Sequence, residues 1–231
     1  MKIAGLQKVS LIDYPDAVAA GVFLGGCNLD CGYCHNRWMI DARDIEPVIS
    51  VDELLAWLET RAGLLDGVVI SGGEPTLHSE LDDLIERIKS LGFACKLDSN
   101  GTRPTVLRRL LEAGLVDYVA MDLKAPLETE AYRAMAGVAV DIAAIRESMT
   151  LLRDLAPSYE FRTTVAPGLG LEDLLSIAGE MLPEEPWVLQ PFVAAETVRQ
   201  DVAERPAMSE GDLEAILDDL RAVALGVRLR A

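Results

Sequence analysis

Val22-Phe-Leu-Gly-Gly-Cys27-Asn-Leu-Asp-Cys31-Gly-Tyr-Cys34-His-Asn36 is the stretch from which this fold is read. A short apolar run ends in a double glycine, and three thiols spaced C-x3-C-x2-C follow at once. The run Ala19 to Leu24 reads as a buried strand that delivers the cysteine loop at its carboxyl end. Working outward, the chain repeats the same grammar: a β-branched apolar run, a polar or glycine-rich loop, then an amphipathic helix.

Gly67-Val-Val-Ile-Ser71 is the next strand and runs into Gly72-Gly-Glu-Pro75. Phe93 to Leu97 leads to Asp98-Ser-Asn-Gly101, and Pro104 suits the first turn of the following helix. Asp117 to Met121, Tyr159 to Val165 and Trp187 to Gln190 complete six strands. Between them, Ser50 and Glu53 form a capping box ahead of Leu54, Leu55 and Leu58. Leu81, Leu84, Ile85 and Ile88 mark a second helix, with further helices over 142–155, 171–180 and 210–223. Alternation of this kind is the signature of parallel βαβ units. The expectation is α/β, an incomplete (β/α)6 TIM-like barrel forming a single domain over 1–231. Its core lies at about 17–192, with a C-terminal helix at about 209–224. A doubly wound open sheet would also carry its loops at strand ends.

Composition narrows the function. Half of the 231 residues are hydrophobic, enough to bury a sizeable core. Net charge is −17, from 38 acidic and 21 basic residues, which disfavours nucleic acid as a partner. Met1 to Lys8 carries no apolar core of a signal peptide. The run from Ala17 to Gly26 is far shorter than the roughly 20 residues of a membrane span. A cytoplasmic protein with reduced thiols and no membrane partner is expected.

Three thiolates in one compact loop can hold three corners of a four-iron cluster whose irons each ordinarily take one cysteine. The fourth iron is then open to a ligand, as at other open metal positions. Cys27, Cys31, Cys34 and His35 could instead make a Cys3His zinc staple, giving a zinc-stabilised binding module. Cys95 sits in an apolar context and reads as a core thiol. Gly72 and Gly73 remove side chains where a ligand would approach the backbone, and Glu74 is an acceptor for an ammonium group. Strand parity puts Lys96 with Asp98, Asp122 with Lys124, and Arg162 with Thr164. Asp122 and Lys124 could be a simple ion pair, and Arg162 could grip a carboxylate or pair with one.

Several segments together resemble the radical S-adenosylmethionine superfamily. The match is most specific to its glycyl-radical-enzyme activases, of the anaerobic ribonucleoside-triphosphate reductase activating type. They are Gly5-Leu-Gln-Lys-Val-Ser-Leu-Ile-Asp-Tyr-Pro15, Cys31-Gly-Tyr-Cys-His-Asn36, Val68-Val-Ile-Ser-Gly-Gly-Glu-Pro-Thr76, Lys96-Leu-Asp-Ser-Asn-Gly101, Tyr118-Val-Ala-Met-Asp-Leu-Lys124 and Phe161-Arg-Thr-Thr-Val165. The resemblance implies a [4Fe–4S] cluster on Cys27, Cys31 and Cys34, with S-adenosylmethionine on its open iron. It places Tyr33 beside the adenine and Gly72, Gly73 and Glu74 around the methionine moiety. Asp122 and Lys124 contact the cofactor, and Ser99, Asn100, Arg162 and Thr164 complete the candidate cofactor contacts. It also suggests a monovalent cation near Asp98, Ser99, Met121 and Asp122.

The implied reaction generates a 5′-deoxyadenosyl radical and installs a glycyl radical on a partner, anaerobic ribonucleotide reductase. A flavodoxin- or ferredoxin-type protein would act as reductant. Two departures stand out: Ser99 replaces a usual Thr, and Val193 stands where pyruvate formate-lyase activases carry His. A pyruvate formate-lyase-type partner, or a small-molecule radical enzyme resembling 7-carboxy-7-deazaguanine synthase, is the alternative.

Overall fold

A computed structural model describes Met1–Arg230. The chain divides into two compact units. The first comprises Met1–Asn28, Trp38–Ala120 and Arg146–Tyr159; the second comprises Leu29–Arg37, Met121–Ile145 and the chain from Glu160 onward.

In the first unit β1 (Ile3–Ser10) runs antiparallel to β2 (Ala19–Leu24), with Ile3 opposite Leu24. β2 pairs in parallel with β3 (Gly67–Gly72), and β3 with β4 (Ala94–Ser99). Leu24 stands opposite Gly72, so the cysteine loop and Gly72-Gly-Glu-Pro75 leave the sheet at one level. Ala19, Ala20, Val22, Leu24 and Val68 to Ile70 are all buried. A continuous apolar run of that kind belongs to a parallel strand covered on both faces.

The helices here are α1 (Val51–Glu59), α2 (Leu81–Ser90) and α3 (Pro104–Glu112). α1 starts on the expected capping box: Ser50 accepts the Glu53 N–H at 3.2 Å, and the Glu53 carboxylate accepts the Ser50 N–H at 2.9 Å. α2 buries Leu81, Leu84, Ile85 and Ile88, the face its periodicity implies. β5 (Tyr118–Asp122) and α5 (Ile142–Leu155) each contribute residues to both units, and the first residue of the strand Tyr159–Val165 belongs to the first.

The second unit adds α4 (Thr129–Ala136), β6 (Tyr159–Val165), α6 (Leu171–Ala178), β7 (Trp187–Pro191), α7 (Gln200–Ala203), α8 (Glu210–Arg221) and β8 (Val227–Leu229). β6, β7 and β8 pair in parallel, Phe161 facing Trp187 and Trp187 facing Val227. Glu160 is fully buried and accepts from Arg228 at 2.8 Å and Arg230 at 3.1 Å, which ties β8 to the start of β6. The Trp187 indole donates to Thr163 Oγ1 at 3.0 Å, satisfying the largest buried side chain.

The fold is α/β with a mostly parallel sheet, and the alternation fits a partial TIM-like barrel. Four elements go beyond the sequence reading. β1 alternates poorly because Gln7 to Val9 are all exposed, β8 is three residues long, and α4 and α7 are short. Among the described residues no helix is long and apolar enough to cross a membrane.

Candidate active site

The cysteine loop is held from both of its ends. At the first end, in the first unit, Gly26 N–H donates to the Met39 carbonyl at 2.7 Å, and Cys27 N–H to Ile40 at 3.0 Å. Gly73 N–H and Glu74 N–H bond the carbonyls of Leu24 and Gly26, each at 2.8 Å. A Cβ on Gly73 would lie 2.0 Å from the Gly26 carbonyl oxygen, so only glycine permits this approach. The His78 Nε2–H donates to the Gly25 carbonyl at 3.0 Å, which fixes its tautomer; partial burial lowers its pKa below the ordinary value.

At the other end, in the second unit, Cys34 N–H donates to the Cys31 carbonyl at 3.1 Å and closes a turn. Arg37 donates to the same carbonyl and pairs with Asp30 at 2.7 Å. Asp30 N–H caps the end of α4 at the Ala136 carbonyl, 2.9 Å away. Gly137 turns the chain there at φ 75°, and a Cβ on it would sit 2.2 Å from the Asp30 oxygen. The segment after β7 lies on this turn. Arg199 N–H donates to the Gly32 carbonyl at 2.9 Å, Thr197 Oγ1 donates to His35, and His35 Nε2 donates to Val193. None of these contacts outside the loop was foreseen, because short surface segments carry no periodic signal.

Asp122, Lys124 and Arg162 are brought together. Asp122 accepts from Lys124 Nζ at 3.2 Å and from Arg162 Nε at 3.0 Å, so the ion pair weighed from strand parity exists and has a second cation. Lys124 N–H also reaches the Tyr132 hydroxyl at 3.4 Å. Burial works against the Lys124 ammonium, but Tyr33, Asp122, Cys31 and Tyr132 outweigh it and hold its pKa well above the ordinary value. Of these neighbours Asp122 is the anion at neutral pH. Tyr33 is buried, and burial drives its phenol well above 10 although Lys124 pulls the other way. Thr164 shares β6 with Arg162 and is half-buried.

Burial likewise raises the Cys31 thiol, while the Lys124 ammonium favours its thiolate. Asn36 N–H donates to Cys34 Sγ at 3.3 Å. All four cysteines are free of disulfides. Three soft donors in one loop, one beside an ammonium and one accepting an amide N–H, suit thiolate ligation of iron. Among the described residues no three His, Cys, Asp or Glu side chains close on a single ion. A cubic cluster does not ask for that, since each thiolate takes a different iron. Cys95 is buried in β4, its thiol pushed up to about 12 by burial, and its N–H donates to Asp117.

Glu74 is 1% exposed. Oε1 accepts from Thr76 N–H at 3.2 Å, Thr76 Oγ1 at 2.5 Å and Ser99 Oγ at 2.9 Å; Oε2 accepts from Asn100 N–H at 2.7 Å. Burial raises its pKa and the four donors pull it part of the way back. Asp98 carries the ammonium of buried Lys96, and Met121 is fully buried.

Comparison with known proteins adds four likenesses. The family model described as the radical SAM superfamily matches residues 22–181. A protein of Methanocaldococcus jannaschii, provisionally named a glycyl-radical enzyme activating enzyme, is 31% identical over 225 residues, which cover 93% of this chain and 89% of that one. The 7-carboxy-7-deazaguanine synthase of Thermococcus kodakarensis is 28% identical over 191 residues, 74% of this chain and 72% of its own. Among solved structures, Streptococcus suis SuiB bound to S-adenosylmethionine superposes with a TM-score of 0.71 over 91% of this chain and 51% of its own, at 11% identity. That likeness is one of fold, and the chain spans about half of SuiB.

Proposed function

Because the chain belongs to the radical S-adenosylmethionine superfamily, in its branch of glycyl-radical-enzyme activases, we propose that it installs the glycyl radical of an anaerobic ribonucleotide reductase. It is a radical S-adenosylmethionine enzyme whose cofactors are a [4Fe–4S] cluster and S-adenosylmethionine. The observation that carries the activase reading is the relative alike over 93% of the chain. When bound, the two cofactors would supply the one-electron chemistry that takes a hydrogen atom from a C–H bond.

The chain's own part is to hold and to exclude. Cys27, Cys31 and Cys34 are the cluster ligands in this reading. Backbone groups of Gly72 to Glu74 receive the methionine moiety, and Tyr33 takes the adenine edge. Arg162 and Lys124 with Asp122 carry a net charge of +1, which favours the cofactor carboxylate. Thr164 shares β6 with Arg162 and would join its contacts, and Ser99 stays with Glu74. Lys96 on Asp98, and Arg162 with Lys124 on Asp122, already place cations on the two carboxylates that a monovalent ion would use. The reductant is a flavodoxin or ferredoxin. The compartment is the cytoplasm, where such thiols stay reduced.

A second reading rests on the Thermococcus kodakarensis likeness, a radical enzyme acting on a deazapurine precursor. One anaerobic experiment separates the two. Reduced protein and S-adenosylmethionine are incubated with a candidate ribonucleotide reductase, or with a deazapurine precursor, and followed by electron paramagnetic resonance and product analysis. A glycyl doublet lost on replacing the partner's glycine supports activation. Turnover of the small substrate without any doublet replaces the activase reading.

A further inference from the structure

The acid of Gly72-Gly-Glu-Pro75 is the centre of a closed polar network that reaches the first cluster cysteine. Its carboxylate accepts four bonds, three at Oε1 and one at Oε2, so Oε1 is filled and Oε2 is held by the Asn100 N–H. From Glu74 the network continues through Asn100. The Asn100 amide Nδ2 donates to Asn28 Oδ1 at 2.9 Å, and its Oδ1 accepts from Thr102 N–H at 3.0 Å and Thr102 Oγ1 at 2.6 Å. Asn28 Nδ2 closes the ring on Thr102 Oγ1 at 2.8 Å. Ser148 Oγ holds the Gly101 carbonyl between them at 2.6 Å. Asn28 follows Cys27 directly, and the Gly26 carbonyl before it is taken by Glu74 N–H. Cys27 is therefore bracketed by two residues that answer to Glu74.

We infer that Glu74, Asn100, Thr102 and Asn28 are positioning residues that set the place of Cys27, and that Glu74 and Asn100 act through this network rather than by side-chain contact with the cofactor. The inference rests on the reading of Cys27 as a cluster ligand. Its physical core is that both Glu74 oxygens face backbone N–H groups, Thr76 on one side and Asn100 on the other. A hydroxyl can reverse its role, but a backbone N–H cannot. A glutamine at 74 must therefore set its NH2 against a fixed donor in either orientation. Only an acceptor-only side chain fits, and its burial makes each unmet partner costly.

The test uses Glu74→Gln, Thr102→Val and Thr102→Ser, with two readouts taken without S-adenosylmethionine. The first is the paramagnetic resonance spectrum, midpoint potential and chelator resistance of the reconstituted cluster. The second is amide hydrogen exchange over residues 25–29 of cluster-free protein. Thr102→Val removes two of the ring's bonds, so exchange there should quicken about five- to tenfold. Iron should be lost faster to a chelator, with a shifted potential. Glu74→Gln should do the same, and Thr102→Ser, which keeps the hydroxyl, should behave as the native chain. If Glu74→Gln and Thr102→Val keep native exchange and a native cluster, and lose only cofactor affinity, the network does not position Cys27 and Glu74 is a cofactor contact. A native chain that binds no cluster would sink the functional reading instead, while the exchange readout still decides whether the network holds the loop.

Discussion

Replacing Gly73 by alanine should damage the fold and the cluster site together. The added Cβ would lie 2.0 Å from the Gly26 carbonyl oxygen, 2.6 Å from its carbon and 3.2 Å from the Cys27 nitrogen. Relief to an ordinary contact requires the two backbones to part by about 1 Å, and overpacking of that kind costs about 1–3 kcal/mol. The displaced segment carries the Gly73 and Glu74 N–H bonds, both at 2.8 Å, and weakening two such bonds adds about 1–2 kcal/mol. The sum, about 2–5 kcal/mol, is a large part of the usual stability of a domain. At about 2–4 °C per kcal/mol for a chain of this size, the melting temperature should fall by about 5–20 °C. Gly63→Ala is the control, since Gly63 has φ 76° and nothing within 4 Å; it should cost only about 1–2 kcal/mol of backbone strain. Thermal melts and iron per chain measure both effects. A Gly73→Ala protein with native melting and a full cluster would refute the close-approach argument.

Alanine at Cys27, Cys31 or Cys34 should abolish the brown chromophore and reductive cleavage of S-adenosylmethionine, whereas Cys95→Ala should keep both, as iron analysis would show. Burial depresses the pKa of His78, so its unfolded form binds more protons in the window below about 6.5. Its contribution is thus complete above that value and is lost as pH falls through the lower, folded pKa. Denaturant titrations at about pH 5 and 7.5 should differ less in His78→Gln than in the native chain. Replacing both Arg228 and Arg230 strands the buried Glu160 carboxylate and should cost about 3–5 kcal/mol. Glu160→Gln, which leaves two partly exposed cations able to hydrate, should cost less; urea unfolding of the two variants would reverse that order if the argument fails.

The parts of the site that were legible in the sequence are those where the chemistry sits on consecutive residues. The cysteine loop, Gly72 and Gly73, and the capping box of α1 each carry their own reason locally. Strand parity also reached further than sequence neighbours, since Lys96 does meet Asp98 and Lys124 does meet Asp122. The hydrogen-bond network of Glu74 was not legible, because its partners Ser99 and Asn100 come from another strand end and only pairing of β3 with β4 brings them in. The grip of α4 and of the segment after β7 on the cysteine turn was equally hidden. Their bonds run through backbone groups of Ala136, Gly32 and Arg199, to which side-chain identity gives no clue. β1 escaped the reading because its solvent-facing half breaks the alternation that marks a strand.

In the proposed activation this chain takes a hydrogen atom from a glycine of another protein. A candidate anaerobic ribonucleotide reductase prepared with α-deuterated glycine, incubated anaerobically with the reduced protein and S-adenosylmethionine, tests it most directly by mass spectrometry of the 5′-deoxyadenosine released. The expected result is one deuterium in that product, together with a glycyl doublet on the partner. Unlabelled 5′-deoxyadenosine and a partner without a radical would contradict it.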